Sequence, residues 1–126
     1  AVADYTPAEI SLEKVKKKEG DLKIKLKRTI DIIKSLGESK KPHQILIGFA
    51  METQNEIENA KKKVTVKNAD IIVLNSLKDK GAGFKTDTNK VTFVYPNNKL
   101  KEFELKSKLD VARDIVNAVK DLLNND

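Results

Sequence analysis

Two short apolar segments on either side of a helix-forming stretch constrain the fold of this chain most strongly. Residues 44–50 are nearly all apolar, and residues 70–75 contain an unbroken run of four aliphatic residues, as expected of strands that are covered on both faces of a sheet. Between them, the sequence TQNE at positions 53–56 matches a capping box and predicts a helix that extends to about Lys63. A strand, a helix and a strand in this order favour a parallel pair joined by a crossover helix.

The segments that follow predict an antiparallel extension of this sheet. Residues 90–95 and 100–106 flank the sequence PNN, which is typical of a β-hairpin. The sequence SKLD at 107–110 is a capping box for a last helix. The expected fold class is therefore α/β, with a mainly parallel sheet flanked by helices and an antiparallel hairpin extension. The last helix has a predicted apolar stripe of Leu109, Ala112, Ile115, Val116, Val119, Leu122 and Leu123.

The first third of the chain has weaker signals. The sequence TPAE at 6–9 predicts a short helical turn with proline at its first position. Residues 22–27 alternate strictly between aliphatic residues and lysine, which predicts a half-buried strand. Thr29 is expected to cap a short helix over residues 30–36, which Gly37 ends.

Composition limits the classes of function. The 126 residues suit one domain, and the net charge is +6. All basic residues except Arg28 and Arg113 are lysines, whereas base readout favours arginine; the charge therefore fits a phosphate-bearing ligand better than nucleic acid. The absence of cysteine excludes disulfides and thiolate chemistry, and no apolar segment reaches the roughly 20 residues that span a membrane. We expect a cytoplasmic protein without nucleic-acid or membrane partners.

Three polar residues are candidates for ligand binding. Lys63 and Lys67 are four positions apart, so their ammonium groups lie on one face if the helix persists and could share polyphosphate oxygens. Helix-terminal lysines that offset the macrodipole explain the same spacing equally well. Asp4 follows residues 1–3, which are typical of the end of a strand, where open α/β sheets bind ligands. An Asx-type turn is an equal alternative for this aspartate.

The remaining candidates are weaker. Residues 14–18 contain four lysines, which form a solvated patch or a mobile loop that closes over a reacting phosphate. Phe49 by itself indicates core packing. His43 is the only histidine, which excludes Ser-His catalysis and multi-histidine metal sites. The glycines in the predicted loop 76–85 lack the pattern of a dinucleotide fingerprint.

Six segments together resemble phosphopantothenate–cysteine ligase, the second domain of the bacterial bifunctional coenzyme A biosynthesis flavoprotein. Their common order along the whole chain is more specific than any single motif. The segments are residues 1–5, 13–17, 29–32, 48–53, 63–75 and 83–89, followed by Ser107 and Lys108 before the last helix.

This resemblance implies a Rossmann-like fold, a homodimer and a two-step ligase reaction. In that reaction CTP, assisted by Mg²⁺, activates the carboxylate of 4′-phosphopantothenate as an acyl-cytidylate, and the amine of cysteine then displaces CMP. The resemblance also implies a role for each matching residue. Asp4 contacts the nucleotide, Lys14 covers the acyl-cytidylate, Phe49 lines the cytidine pocket, Lys63 and Lys67 bind the phosphates, and the turn of Ile30, Asp31, Ile32 and Ile33 holds the cytidine through its backbone. No metal ligand is assigned.

The chain also departs from the family pattern. Ile30 stands where the family usually has proline, so the nucleotide turn is less rigid. With this and other departures at positions 51, 74 and 76, both CTP and ATP stay open as the nucleotide. The family's amino-terminal half, with its glycine-rich turn, has no counterpart here. We therefore expect residues 1–126 to be the carboxyl-terminal portion of a larger ligase domain, with an incomplete site. The alternative is a nucleotide-binding module or inactive fragment without ligase activity, and an upstream flavin-dependent decarboxylase is not assumed.

Overall fold

A computed structural model describes residues 2–16, 20–76 and 86–124 of the chain. The chain divides into two compact units, Ala1–Ile32 and Ile33–Asp126. The expectation of a single domain stays a prediction. Parts of the predicted basic loop and of the predicted loop at 76–85, namely residues 17–19 and 77–85, lie outside the described residues.

The first unit contains one short antiparallel ladder. Strand β1 (Tyr5–Pro7) pairs with β2 (Leu26–Arg28), with Tyr5 opposite Arg28, and the guanidinium lies 6.0 Å from the centre of the tyrosine ring. The helical turn predicted at 6–9 is wrong, because Thr6 and Pro7 belong to this ladder. The strand predicted at 22–27 is wrong except at its end. Its aliphatic side chains are exposed, so burial does not stabilise a strand with this alternating pattern.

A four-stranded mixed sheet forms the centre of the second unit. The strands are β3 (Ile47–Glu52), β4 (Ile71–Ser76), β6 (Val91–Val94) and β7 (Leu100–Glu102), in that spatial order. The first pair is parallel and the next two are antiparallel, which confirms the α/β fold and its antiparallel hairpin. The two-residue strands β5 (Thr88–Asn89) and β8 (Lys106–Ser107) form a separate antiparallel pair.

Helices cover both faces of this sheet. Helix α2 (Glu56–Val66) packs Ala60 and Val64 against Ala50, Ile72 and Leu74 on one face. Helix α3 (Lys108–Asn124) packs against a second cluster on the other face. That cluster is formed by Ile71, Val73, Val91, Phe93, Val111 and Ala118.

Helix α1 (Ile32–Ser39) shows why a glycine lies in its interior. The prediction that Gly37 ends the helix is wrong, since the helix continues for two more residues. A β-carbon at Gly37 would lie 1.8 Å from the backbone oxygen of Lys67, so only glycine allows this close approach. The side-chain amide of Asn68 donates to the carbonyl of Gly37 at 2.9 Å and closes the same contact.

An ion pair organises the amino ends of the two parallel strands. The ammonium of Lys40 donates to both carboxylate oxygens of Asp70 at 2.9 Å. One of these oxygens also accepts from the backbone N–H of Leu46 at 2.7 Å, just before β3. The carboxylate therefore joins the segments that precede β3 and β4.

The hairpin and its helix largely follow the sequence. β6 and β7 are joined through a turn at Pro96–Asn98, and Tyr95 N–H donates to the carbonyl of Lys99 at 2.9 Å. Burial, with the nearby charge of Asp121, raises the pKa of Tyr95. None of the helices in the described ranges has the length and apolar character needed to cross a bilayer.

Helix α3 begins at the predicted capping box, but the face that it buries differs from the predicted apolar stripe. The hydroxyl of Ser107 accepts from Asp110 N–H at 3.1 Å and donates to the Asp110 carboxylate at 2.6 Å, which confirms the cap. Val111 and Ala118 are the buried residues, assisted by the predicted Ile115 and Leu122, whereas other members of the predicted stripe are exposed. Those exposed members are Leu109, Ala112, Val116 and Leu123.

We expect Gly37→Ala to destabilise the fold by about 3 kcal/mol, because the new methyl group meets a backbone carbonyl that cannot move aside. Gly48→Ala is expected to cost about 1 kcal/mol, since it meets only the flexible ends of Ile33 and Ile72. Ser35→Ala, on the exposed side of α1, is the control and should stay within about 0.5 kcal/mol. Urea unfolding measures the free energy of unfolding of all three variants. An equal loss of stability at both glycines would contradict the assignment of the rigid backbone contact to Gly37 alone.

Candidate functional site

The carboxyl end of β3 carries side chains to opposite faces of the sheet. Ala50 packs with residues of α2, whereas Ile47 packs with the cluster on the α3 face. Since alternate residues of a strand face opposite sides, Glu52 points to the α2 face and Phe49 to the α3 face. Phe49 is 71% exposed and is not part of either buried cluster, so the interpretation as a core residue is wrong.

The ammonium of Lys63 reaches this edge from the last turn of α2. It donates to Oε1 of Glu52 at 2.6 Å, and the amide of Asn59 donates to Oε2 at 3.2 Å. Asn59 and Lys63 are one helical turn apart, so both approach the carboxylate from the same face of α2. The Lys63 side chain is 43% exposed, against 15% for Glu52. The cation therefore remains accessible while its anionic partner is shielded.

Electrostatics keep this carboxylate ionised. The hydrogen bond from Lys63 holds the pKa of Glu52 below its ordinary value of 4.5, against the effect of burial, and the bond from Asn59 adds to the lowering. Glu52 is thus a carboxylate at neutral pH. A donor set of this kind can bind an anion through the remaining N–H groups of the lysine.

Lys67 lies one turn beyond Lys63, at the end of α2. Its backbone N–H donates to the carbonyl of Lys63 at 2.9 Å. The helical hydrogen bonding therefore continues from Lys63 to Lys67, which is the condition under which the sequence predicts both lysines on one face. The side chain of Lys67 is half-buried. Its backbone oxygen is the atom that meets Gly37, which ties the end of α2 to α1.

The nucleotide turn predicted at residues 30–33 begins in the first unit and ends in the second. The backbone N–H of Thr29 donates to the carbonyl of Asp4 at 3.0 Å, which brings Asp4 beside the start of this turn. Ile30 and Asp31 are exposed, and Ile32 is the first residue of α1. Ile33 packs against the cluster on the α2 face, next to Gly48.

The predicted residues therefore fall into separate groups. Asp4 lies near Ile30 in the first unit, where Lys14 is exposed in the segment between β1 and β2. In the second unit Lys63 and Lys67 share one side of α2, but Phe49 lies on the opposite face of the sheet from Lys63. The roles of all these residues stay predictions.

Sequence reasoning missed two polar features of this edge. Glu52 and Asn59 were not singled out, although a glutamate that ends an apolar strand before a helix of lysines is a signal for an ion pair. Asn75, at the carboxyl end of β4, has a buried side-chain oxygen with no hydrogen-bond partner among the residues that the structure describes. Because it comes after the four apolar residues of β4, it is a second polar side chain at the edge where ligands bind in α/β sheets.

The described residues contain no ready-made metal centre. Within the ranges 2–16, 20–76 and 86–124, no three histidine, aspartate or glutamate side chains are grouped so that they could hold an ion. A magnesium ion at this edge would depend on phosphate oxygens and water for most of its ligands, as Mg²⁺ commonly does.

The fold and its charged edge define an α/β domain with an accessible cation at the carboxyl end of a parallel strand. Residues 1–123 match the family model described as the DNA/pantothenate metabolism flavoprotein C-terminal domain. The chain belongs to this family, which confirms the resemblance inferred from its sequence.

Individual relatives are similar to this chain over nearly all of its length. The coenzyme A biosynthesis bifunctional protein CoaBC of Bacillus subtilis is 48% identical over 119 residues, which is 94% of this chain and 29% of the relative. A cysteine/cysteine sulfinic acid decarboxylase from an unidentified prokaryote is 48% identical over 124 residues, 98% of this chain and 34% of that protein. The chain spans about a third of the length of these relatives.

A solved structure extends the comparison to the fold. The crystal structure of the C-terminal domain of CoaBC superposes with a TM-score of 0.75 at 39% sequence identity. The match covers 99% of this chain and 52% of that domain. The α/β architecture described above is thus that of the solved relative, over about half of its length.

We expect Lys63→Gln to lower the free energy of unfolding at pH 7 by about 1 kcal/mol, because it leaves Glu52 without its main partner. The pKa of Glu52 is lowered in the folded state, so this stabilisation is present above its ordinary value of 4.5 and is lost as the pH falls through the folded value. In urea unfolding from pH 7 to pH 3, the free energies of unfolding of wild type and Lys63→Gln should converge as the pH falls.

Lys61→Gln is the matched control for this measurement. Lys61 is on the same helix but pairs with the exposed Glu58 at 3.5 Å, so a smaller effect is expected. A difference between wild type and Lys63→Gln that stays constant down to pH 3 would contradict the assigned pair.

Proposed function

We propose that this chain is part of a phosphopantothenate–cysteine ligase that acts in coenzyme A biosynthesis. The observation that carries the proposal is the family match over residues 1–123, combined with a lysine whose ammonium is accessible at the carboxyl end of β3. The relatives named CoaBC support it, since their name places them in this biosynthesis. The finer parts of the proposal are CTP as the nucleotide, Mg²⁺ as its counterion, a homodimer and a cytoplasmic location.

The proposed reaction has two steps. A carboxylate oxygen of 4′-phosphopantothenate attacks the α-phosphorus of CTP, pyrophosphate leaves, and a mixed anhydride with CMP forms. The amine of cysteine then attacks the acyl carbon, its proton is lost, CMP leaves and an amide forms. The protein must neutralise the triphosphate, keep water from the anhydride and orient the amine.

Each candidate residue has a place in this scheme. Lys63 and Lys67 bind phosphate oxygens from one side of α2, and Asp4 with the turn at 30–33 binds the nucleoside. Lys14 lies in an exposed segment from which its ammonium can close over the anhydride and offset developing negative charge. Phe49, on the opposite face from Lys63, is exposed and can line a cytidine pocket that other chain segments complete.

The first test measures pyrophosphate release from CTP by the full-length protein that contains this sequence. Release should depend on phosphopantothenate and should be at least about tenfold slower with ATP, if the cytidine pocket selects the base. Nucleotide binding without phosphopantothenate-dependent release would favour the alternative, a binding module that lacks ligase activity. Comparable rates with both nucleotides would contradict the choice of CTP but not the ligase.

The second test concerns Lys14. We expect Lys14→Gln to slow the cysteine-dependent step by about 10²-fold, because one charge that stabilises the transition state is removed. The affinity for CTP should change little. Lys23→Gln, another exposed lysine of the first unit, is the control. Single-turnover release of CMP after addition of cysteine measures the step, and an unchanged rate would show that Lys14 is wrongly assigned.

A further inference from the structure

The contacts of Lys63 single out a residue that the proposed reaction does not yet use. We propose that Glu52 is a positioning residue that holds the Lys63 ammonium at the carboxyl end of β3 for the phosphates of the nucleotide. The proposal rests on the function given above, which assigns Lys63 to phosphate binding. Glu52 itself contacts no substrate in this scheme and acts through the lysine.

The geometry leaves the lysine available. A lysine ammonium has three N–H donors, and the contact at 2.6 Å with Oε1 of Glu52 uses one of them. Two donors remain for phosphate oxygens, and the side chain is 43% exposed. The carboxylate is 15% exposed, so the anion itself presents little surface to an approaching polyphosphate.

Asn59 fixes the orientation of the carboxylate. Its amide nitrogen donates to Oε2 of Glu52 at 3.2 Å and to the backbone oxygen of Gln54 at 3.1 Å, so both of its N–H groups are used. Each oxygen of Glu52 is therefore engaged by a different side chain of α2. A lysine side chain has four rotatable bonds, and a braced carboxylate limits the positions that its ammonium samples before the nucleotide arrives.

Two other roles for Glu52 predict different results. If its negative charge mainly repelled the phosphates, removal of that charge would tighten nucleotide binding. If it only joined β3 to α2, removal would lower stability and leave the nucleotide KM unchanged in the protein that remains folded. The sign of the change in KM therefore separates positioning from repulsion, and its dependence on Lys63 separates positioning from a structural role.

The experiment is a double-mutant cycle in the full-length protein, with KM for CTP and kcat measured for each variant. Glu52→Gln should raise KM about five-fold with kcat within about twofold, since uniform binding is lost. Lys63→Gln should raise KM about tenfold or more. The double variant should equal Lys63→Gln, because Glu52 has no lysine left to position.

Two further variants keep the test informative. Asn59→Ala keeps the charges of Glu52 and Lys63 and removes only the hydrogen bond that orients the carboxylate. A rise in KM of about twofold is therefore expected, and this variant is informative even if Glu52→Gln folds poorly. Glu58→Gln removes a carboxylate of α2 whose partner is Lys61, and it should leave KM unchanged.

The remaining outcomes overturn one proposal or both. A lower KM in Glu52→Gln, an unchanged KM, or an equal effect of that change with and without Lys63 would each exclude the positioning role alone. If Lys63→Gln leaves KM for CTP unchanged, the assignment of Lys63 to phosphate fails and the positioning role fails with it.

Discussion

The parallel pairing of β3 with β4 is the constraint on which the second unit depends. Parallel neighbours need a crossover, so the chain must leave the carboxyl end of β3 and return to the amino end of β4. Helix α2 makes this crossing. Its path brings Lys63 within reach of Glu52, and its end brings the backbone of Lys67 against Gly37. The candidate site and the tightest packing contact therefore follow from one topological requirement.

The sequence predicted the elements whose residues are buried on two sides. The apolar runs of β3 and β4, the crossover helix, the hairpin and the cap of α3 are local signals that tertiary packing reinforces. The prediction that Gly37 ends a helix was wrong because glycine is favoured both at helix ends and where two backbones approach closely, and the sequence alone does not distinguish these cases. In the first unit the alternation at 22–27 has no covered face, so a periodic pattern alone could not specify a strand.

The candidate site was harder to predict, because its parts depend on which face each side chain occupies. Spacing placed Lys63 and Lys67 on one side of a helix, and α2 has that geometry. Spacing could not show that Lys63 is held by a glutamate eleven positions earlier, which requires knowledge of how α2 packs on β3. The family resemblance supplied the roles of Asp4 and Lys14, whereas the chemistry of those residues alone left alternatives open.

Each of the two units contains one tyrosine, so tyrosine fluorescence can distinguish the units. The sequence contains two tyrosines and no tryptophan, with Tyr5 in the first unit and Tyr95 in the second. Their surroundings differ, since Arg28 lies over the first ring while the second is half-buried beside Lys99. Replacement of either one by phenylalanine would leave a single tyrosine, whose fluorescence reports on one unit. The melting of each unit could then be followed separately, without dye or tag, to learn whether the two units unfold together.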